Sequence, residues 1–364
     1  MSAPAIPAVG PAPRHPRARQ TARGLVSLAV VGVVFLGVIP QIADFGDVWA
    51  EIRAMTALEV TTLALAAFWN LLSYLFVVLP AAPGLTVAQG FVLTESTTAV
   101  SNTVPGGAAV GVGMTYAMYS GWGFPRSESA LAILVSGIWD SFVKLGLPVV
   151  AVALLAMEGG ANVQWVMAGL VGIVALAGVI GAFWLMLRSD EMARRVGDTV
   201  AQAASWARGR VHRPPVGDWG DAAVAFRSQA IRLLRRSWLR LTLGAVVSHL
   251  SLFGVLLLAL RHVGVSERSV DWVEVLAAFA FVRLLTALPI TPGGVGVVEL
   301  GLTAALVAAG GDRAKVVAAV LVFRALTYLL PVPLGLASYV VWRRRSSWRK
   351  PVPGAARPPD GSCC

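Results

Sequence analysis

The chain has little charge and almost no cysteine, and each shortage excludes a class of protein. Only 13% of its 364 residues are charged, whereas 57% are hydrophobic; soluble domains carry about 25% charge. A single core cannot bury so much apolar surface, which excludes a soluble globular enzyme and a disordered chain. The two cysteines, Cys363 and Cys364, are adjacent at the end of the sequence. The sequence therefore indicates neither a disulfide scaffold nor a thiolate metal site.

The hydrophobic residues are concentrated in runs of the length that crosses a membrane. A helix of about 20 apolar residues spans the ~30 Å hydrocarbon layer, and we predict an all-α polytopic membrane protein. The predicted full spans are residues 24–39, 58–79, 131–157, 165–187, 239–260 and 316–342.

The basic residues lie in three segments outside these spans. The net charge is +11, and residues 1–23, 188–240 and 343–364 carry +4, +6 and +5, which leaves −4 for the rest. This pattern follows the positive-inside rule and predicts that all three segments, and both termini, are cytoplasmic. It argues against a nucleic-acid partner. The preference for Arg over Lys, with abundant Ala, Gly and Val, indicates a bacterial plasma-membrane protein.

Two further apolar stretches are each interrupted by Pro-Gly-Gly. Residues 86–122 are broken at Val104-Pro105-Gly106-Gly107, and residues 273–309 at Thr291-Pro292-Gly293-Gly294; the two motifs align without gaps. If each stretch is a hairpin, the chain has six full spans plus two hairpins. If the limbs cross fully, it has up to ten membrane segments with the same end orientation.

The matching order of spans and breaks predicts two inverted-topology repeats, the pattern of many transporters. The predicted parts are a disordered basic N-terminus (1–23), a first membrane repeat (24–157), an outer loop and linking span (158–187), a basic amphipathic cytoplasmic segment (188–238), the rest of the second repeat (239–342) and a basic Pro-rich tail (343–364). Pro214-Pro215 is predicted to split the segment 188–238 into two helices, the second an interfacial amphipathic helix or a solvated connector.

The breaks point to a binding site because lipid cannot satisfy the backbone groups that they expose. A helix that restarts after a break presents free N–H groups suited to phosphate. The alternative is a simple kink or tight turn. The substrate-binding candidates from the breaks are Asn102, Pro105, Gly106, Gly107, Thr291, Pro292, Gly293, Gly294 and Gly296.

Charges inside the spans add further candidates, because each costs at least ~2.5–3.5 kcal/mol on insertion scales. Arg283 and Arg324 suit phosphate through the guanidinium fork, and Glu299 and Tyr328 complete the substrate-binding set. Both arginines could instead be salt-bridged or snorkelling. Glu95, Asp140 and Lys144 are assigned to coupling or to a structural ion pair, since Asp140 and Lys144 are spaced i,i+4. His249 is interpreted as a packed residue. No catalytic motif or metal cluster is found, so no enzyme activity, metal or cofactor is expected.

The sequence around the second break resembles a known family. Residues 288–299, Leu-Pro-Ile-Thr-Pro-Gly-Gly-Val-Gly-Val-Val-Glu, strongly resemble the signature of the lysylphosphatidylglycerol synthase transmembrane-region family. Asn102-Thr-Val-Pro-Gly-Gly and Phe323-Arg324…Tyr328…Pro331 are similar to its other landmarks. The resemblance covers roughly residues 24–342.

The resemblance implies an integral bacterial membrane protein. The best-known members flip an aminoacylated phospholipid between leaflets and carry a C-terminal soluble aminoacyltransferase domain. After residue 342 this sequence has only a short basic tail, so we expect the flippase-like unit without synthase activity.

Three functions are compatible with these features. The first is a transporter that moves an anionic membrane lipid or lipid-linked headgroup. The second is a membrane glycosyltransferase with a lipid-phosphate donor, suggested by Asp44, Asp47 and Glu51 in the first outer loop, although the predicted outer loops are short for such an enzyme. The third is an ion-coupled small-solute transporter.

Overall fold

The computed structural model describes residues 45–104, 106–158, 163–210, 214, 217, 219–286, 291–345 and 348. The predicted first span (24–39), the N-terminal segment 1–23, Asp44, Pro105 and most of the tail, including Cys363 and Cys364, lie outside the described residues.

Every regular element in the described part of the chain is a helix. The first half contains α1 (Phe45–Arg53), α2 (Ala57–Ser73), α3 (Leu75–Ala81), α4 (Val87–Thr103), α5 (Gly107–Gly121) and α6 (Arg126–Met157). The second half contains α7 (Val163–Arg188), α8 (Asp190–Gly209), α9 (Trp219–His262), α10 (Trp272–Leu285), a 3₁₀ turn (Pro292–Gly294), α11 (Val297–Ala308), α12 (Arg313–Arg324), a π-helix (Ala325–Leu329) and α13 (Pro331–Arg344).

Five stretches of helix are long and apolar enough to cross a membrane: Ala57–Ala81, Arg126–Met157, Gly169–Arg188, Trp219–His262 and Arg313–Arg344. They coincide with five of the six predicted spans. The prediction of an all-α, multi-pass membrane protein is therefore confirmed.

The two Pro-Gly-Gly stretches each form a pair of shorter helices. Their limbs α4, α5, α10 and α11 have 17, 15, 14 and 12 residues, which corresponds to about 18–25 Å at 1.5 Å per residue. Each limb packs against its partner limb. These lengths are less than the ~30 Å hydrocarbon thickness.

Local sequence explains where the limbs begin and where the breaks fall. Capping boxes formed by Thr86 with Gln89 and by Asp271 with Glu274 start α4 and α10, satisfying backbone donors that a helix start leaves open. Gly106, Gly293 and Gly296 have φ values of 72°, 58° and 83°. Glycine adopts this left-handed region without a steric penalty.

Helix α9 differs from the sequence prediction. A separate amphipathic helix was expected to end near residue 238, but α9 runs without interruption through 44 residues. Composition changes from basic to apolar near Leu239, but the sequence places no proline there. The basic first part of α9 is therefore a continuation of a span, and it packs against α8.

The basic helix ends come together at one end of the bundle. Leu187, Leu233 and Trp342 belong to one hydrophobic cluster with Trp122. The rings of Trp122 and Trp348 are 6.0 Å apart. The ends of α5, α7 and α13 and the first part of α9 therefore share one side.

Candidate functional site

A cavity of about 450 Å³ lies among the central parts of the spans. The helices around it include two packed pairs, α4 with α13 and α6 with α10. Its lining is mostly polar or charged: Asn70, Leu71, Tyr74, Thr94, Glu95, Thr97, Thr98, Ser101, Asp140, Lys144, Ser248, His249, Leu252, Arg283, Thr327 and Pro331.

Asp140 and Lys144 form an ion pair on one wall of the cavity. Lys144 Nζ is 2.6 Å from Asp140 Oδ2, as the i,i+4 spacing on α6 allows. His249 on α9 faces the same carboxylate, with Nε2 3.4 Å from Asp140 Oδ1, a distance too long for a normal hydrogen bond. The positive charge of Lys144 is thus already compensated within the protein.

Arg283, near the C-terminal end of α10, has no such partner. Its Nε is buried without a hydrogen-bond partner, and no ion pair to its guanidinium is found among the described residues. A guanidinium carries five donors and a permanent charge. A cation of this kind, without an ion pair among the described residues, can bind an anion that enters the cavity from outside the protein.

Glu95, on α4, is the second unpartnered charged group of the lining. It is 1% exposed, and its Oε2 lacks a hydrogen-bond partner within the described part of the chain. The neighbouring hydroxyls do not supply one, because Thr94 donates to Gly90 O and Thr97 donates to Leu93 O. Glu95 therefore lies at the cavity without an ion-pair partner among the described residues.

Arg324 has a different environment, at the second break. Its Nε donates to Glu299 Oε1 at 2.7 Å, and its Nη2 donates to Gly293 O at 3.2 Å. The other oxygen of Glu299 accepts from the backbone N–H of Gly296 at 2.7 Å. One arginine and one glutamate therefore hold the loop between the 3₁₀ turn and α11.

The same arginine connects the second break to the first hairpin. Its Cζ lies 4.3 Å from the centre of the Tyr328 ring, a cation–π distance. The Tyr328 hydroxyl donates to Asn102 O at 2.8 Å, and Asn102 Nδ2 is 3.5 Å from Tyr328 O. Asn102 belongs to the last turn of α4, so the two broken segments meet in space. We call Asn102, Gly293, Gly296, Glu299, Arg324 and Tyr328 the break cluster.

The predicted site residues thus separate into groups. Glu95, Asp140, Lys144 and Arg283 line the cavity, whereas six others form the break cluster. Gly106 and Gly107 lie where α5 begins, Pro292 and Gly294 lie in the 3₁₀ turn, and Thr291 immediately precedes that turn with its buried Oγ1 unpartnered among the described residues. Pro105 is outside the described part.

The sequence interpretation missed several lining residues. His249 was interpreted as packed, and it is indeed only 4% exposed, but it faces Asp140. Asn70, Tyr74 and Ser248 also line the cavity. The signal that could have found His249 is the one used for Arg283, a titratable side chain inside an apolar helix.

The acidic residues that were predicted to lie in the first outer loop are outside this cavity. Asp47 and Glu51 are on α1, which packs against α12, and neither is among the residues that line the cavity.

Comparison with known proteins places the chain in a family. A family model described as "Lysylphosphatidylglycerol synthase TM region" matches residues 24–335. No curated protein matches the chain. The family match covers most of the sequence and both broken hairpins, and the chain therefore belongs to the lysylphosphatidylglycerol synthase TM region family.

Proposed function

We propose that the chain is a flippase-like transporter that moves an anionic lipid or lipid-linked headgroup between leaflets, with Arg283 binding the phosphate. The observation that carries this proposal is a guanidinium without an ion-pair partner among the described residues, in a cavity that is lined by polar and apolar groups of the membrane-spanning helices. The planar fork of arginine matches two phosphate oxygens at once. Transport requires no catalytic group in the cavity.

Reciprocal packing supports an inverted repeat around this cavity. Helix α4 of the first hairpin packs against α13, which belongs to the last span of the second half. Helix α10 of the second hairpin packs against α6, the last span of the first half. A two-fold axis between antiparallel halves produces such an exchange, and rocking of the halves would alternate access to a site between them.

The break cluster has a supporting role in this proposal. The Arg324 guanidinium already donates hydrogen bonds to Glu299 and to Gly293 O. In this proposal Arg324 therefore stabilises the second break, and Arg283 binds the phosphate. The convergence of the basic helix ends supports a cytoplasmic location for that side of the bundle, as the positive-inside rule predicts.

A liposome assay tests the proposal. The protein is reconstituted with fluorescent phosphatidylglycerol, phosphatidylcholine or polyprenyl phosphate, and the label in the outer leaflet is quenched with dithionite. We expect movement of an anionic lipid, slowed at least tenfold in Arg283→Gln, because hydrogen bonds to charged groups contribute about 1.5–3 kcal/mol.

Arg313→Gln is the matched control, since it removes the same charge from an exposed residue at the start of α12. Its rate should equal that of the wild type. Failure of the folded wild-type protein to move any anionic lipid would contradict the proposed function. Lipid movement at the wild-type rate in Arg283→Gln would contradict the assignment of the phosphate to Arg283.

A further inference from the structure

We propose that Glu95 carries one proton with each anionic headgroup, which makes the transport proton-coupled. This inference rests on the proposed function and adds its source of energy. It starts from the position of Glu95, a carboxyl that is 1% exposed, lines the cavity and has no hydrogen-bond partner for Oε2 among the described residues.

Besides Glu95, the lining contains titratable and charged groups from several helices. They are Tyr74 at the junction of α2 and α3, Asp140 and Lys144 on α6, His249 on α9 and Arg283 on α10. Helices α3, α5 and α13 and the 3₁₀ turn also pack against α4, and none of them contributes a charged or titratable side chain to the lining. Glu95 makes no ion pair with any of these groups.

The sum of the charges in the lining indicates when Glu95 would be ionised and when it would be protonated. Asp140 and Lys144 compensate each other at 2.6 Å. With the His249 imidazole neutral, Arg283 and Glu95 are the remaining charges. Ionised Glu95 makes the empty cavity neutral. When a phosphodiester with one negative charge binds at Arg283, the cavity is neutral again only if Glu95 is protonated.

Neutrality in both states matters because a net charge among membrane-spanning helices is costly. The proton comes from water on the side where the headgroup enters and binds a Glu95 carboxylate oxygen. It returns to water when the headgroup leaves on the other side. The lipid anion and the proton together carry no net charge across the bilayer, so a pH gradient, and not the membrane potential, drives the movement.

The test uses proteoliposomes that contain the full chain, with fluorescent phosphatidylglycerol as the probe and pyranine inside as the pH reporter. Coupling of one proton to one lipid predicts that the leaflet distribution of the probe shifts about tenfold per pH unit of imposed gradient, because one pH unit is a tenfold change in proton activity. A potassium–valinomycin potential at equal pH should leave the distribution unchanged.

Variants distinguish the proton carrier. Glu95→Gln keeps the size of the side chain but cannot titrate. We expect slower probe movement, because the empty cavity then carries a net charge, and the distribution that is reached should not depend on the gradient or give a pyranine signal. Glu128→Gln is the matched control, because it makes the same change at an exposed residue in the first turn of α6, outside the lining, and it should keep the tenfold dependence.

Four results would overturn the inference, and they can be distinguished from one another. Gradient dependence retained in Glu95→Gln removes Glu95 as the carrier, and gradient dependence lost only in His249→Gln transfers the role to His249. Wild-type movement that ignores the gradient excludes proton coupling but leaves the proposed function intact. No movement of the probe by folded wild-type protein in either direction of gradient rejects both.

Discussion

The break cluster and the cavity both contain an arginine and a glutamate in the membrane-spanning part of the chain, but only the break cluster pairs them. Arg324 and Glu299 are 2.7 Å apart, and the other side-chain hydrogen bonds of both go to backbone groups of the second break. Arg283 and Glu95 line one cavity and have no ion-pair partner in the described structure. The first arrangement stabilises a loop, and the second leaves two groups available for ligands.

This difference shows a limit of the rule that a charged residue inside a membrane-spanning segment marks a functional site. The rule correctly marks each of these residues as unusual, because each raises the cost of insertion. It does not separate structural charges from binding charges. That separation depends on the partners, which only the tertiary structure supplies.

The largest effect on stability is expected from breaking the pair in the break cluster. Arg324→Gln leaves the buried Glu299 carboxylate without a cation, and removal of one partner of a buried pair destabilises by about 3–5 kcal/mol. Unfolding of the purified protein in detergent, followed by circular dichroism, should show a strongly lowered midpoint. Arg283→Gln is the comparison, with a midpoint close to wild type. Equal midpoints for the two variants would contradict the assignment of roles.

The next largest effect on stability is expected from alanine substitutions at one glycine of each break. Gly293 and Gly106 both have positive φ, so alanine costs about 1–2 kcal/mol at each. At Gly293 a Cβ would also lie 2.3 Å from Tyr328 Cε2, whereas at Gly106 it meets nothing within 4 Å. We expect Gly293→Ala to lose a further 1–3 kcal/mol, roughly the cost of overpacking.

Thermal unfolding of Gly293→Ala and Gly106→Ala in the same detergent measures this difference. Gly106→Ala serves as the control for backbone strain alone. If Gly106→Ala were the less stable of the two, the close packing of the second break against Tyr328 would be wrong.

A smaller effect is expected from the contact between the broken segments. Tyr328→Phe removes the hydroxyl that donates to Asn102 O at 2.8 Å but keeps the ring beneath Arg324. The expected loss is about 1 kcal/mol, the usual contribution of one hydrogen bond. Tyr339→Phe on α13, whose side chain is more exposed, is the control and should unfold at the wild-type midpoint.

The smallest stability effect is expected from the ion pair of the cavity. The side chains of Lys144 and Asp140 are 24% and 23% exposed, so solvent screens them more than it screens Arg324 and Glu299. Lys144→Met should lower the stability by less than about 1 kcal/mol, as for partly exposed pairs. A loss as large as that of Arg324→Gln would show that the cavity pair is structural to the same degree.

Much of the fold was predictable because membrane spans are specified by local composition. The apolar run of residues 131–157 and the apolar runs of the other spans need only length and hydropathy, and Pro-Gly-Gly marks both breaks by its backbone requirements. The continuity of α9 was not predicted, since a change from basic to apolar composition resembles a boundary although the helix continues.

The sequence predicts which residues belong to the candidate site better than it predicts which of them contact one another. Asp140 and Lys144 pair because they are one turn apart, which the sequence displays directly. Glu299 and Arg324 are 25 residues apart and belong to different helices, so only the packing of α11 against α12 brings them together. The same holds for His249 and Asp140, which come from α9 and α6.

The most direct test of the account measures binding of short-chain phosphatidylglycerol to the purified protein, wild type and Arg283→Gln, by isothermal titration calorimetry. We expect the variant to bind roughly tenfold to a hundredfold more weakly, as the loss of a charged hydrogen-bonded contact implies, while its unfolding midpoint stays at the wild-type value. An unchanged affinity in a folded Arg283→Gln protein would contradict the claim that the unpartnered arginine of the cavity binds the anionic headgroup.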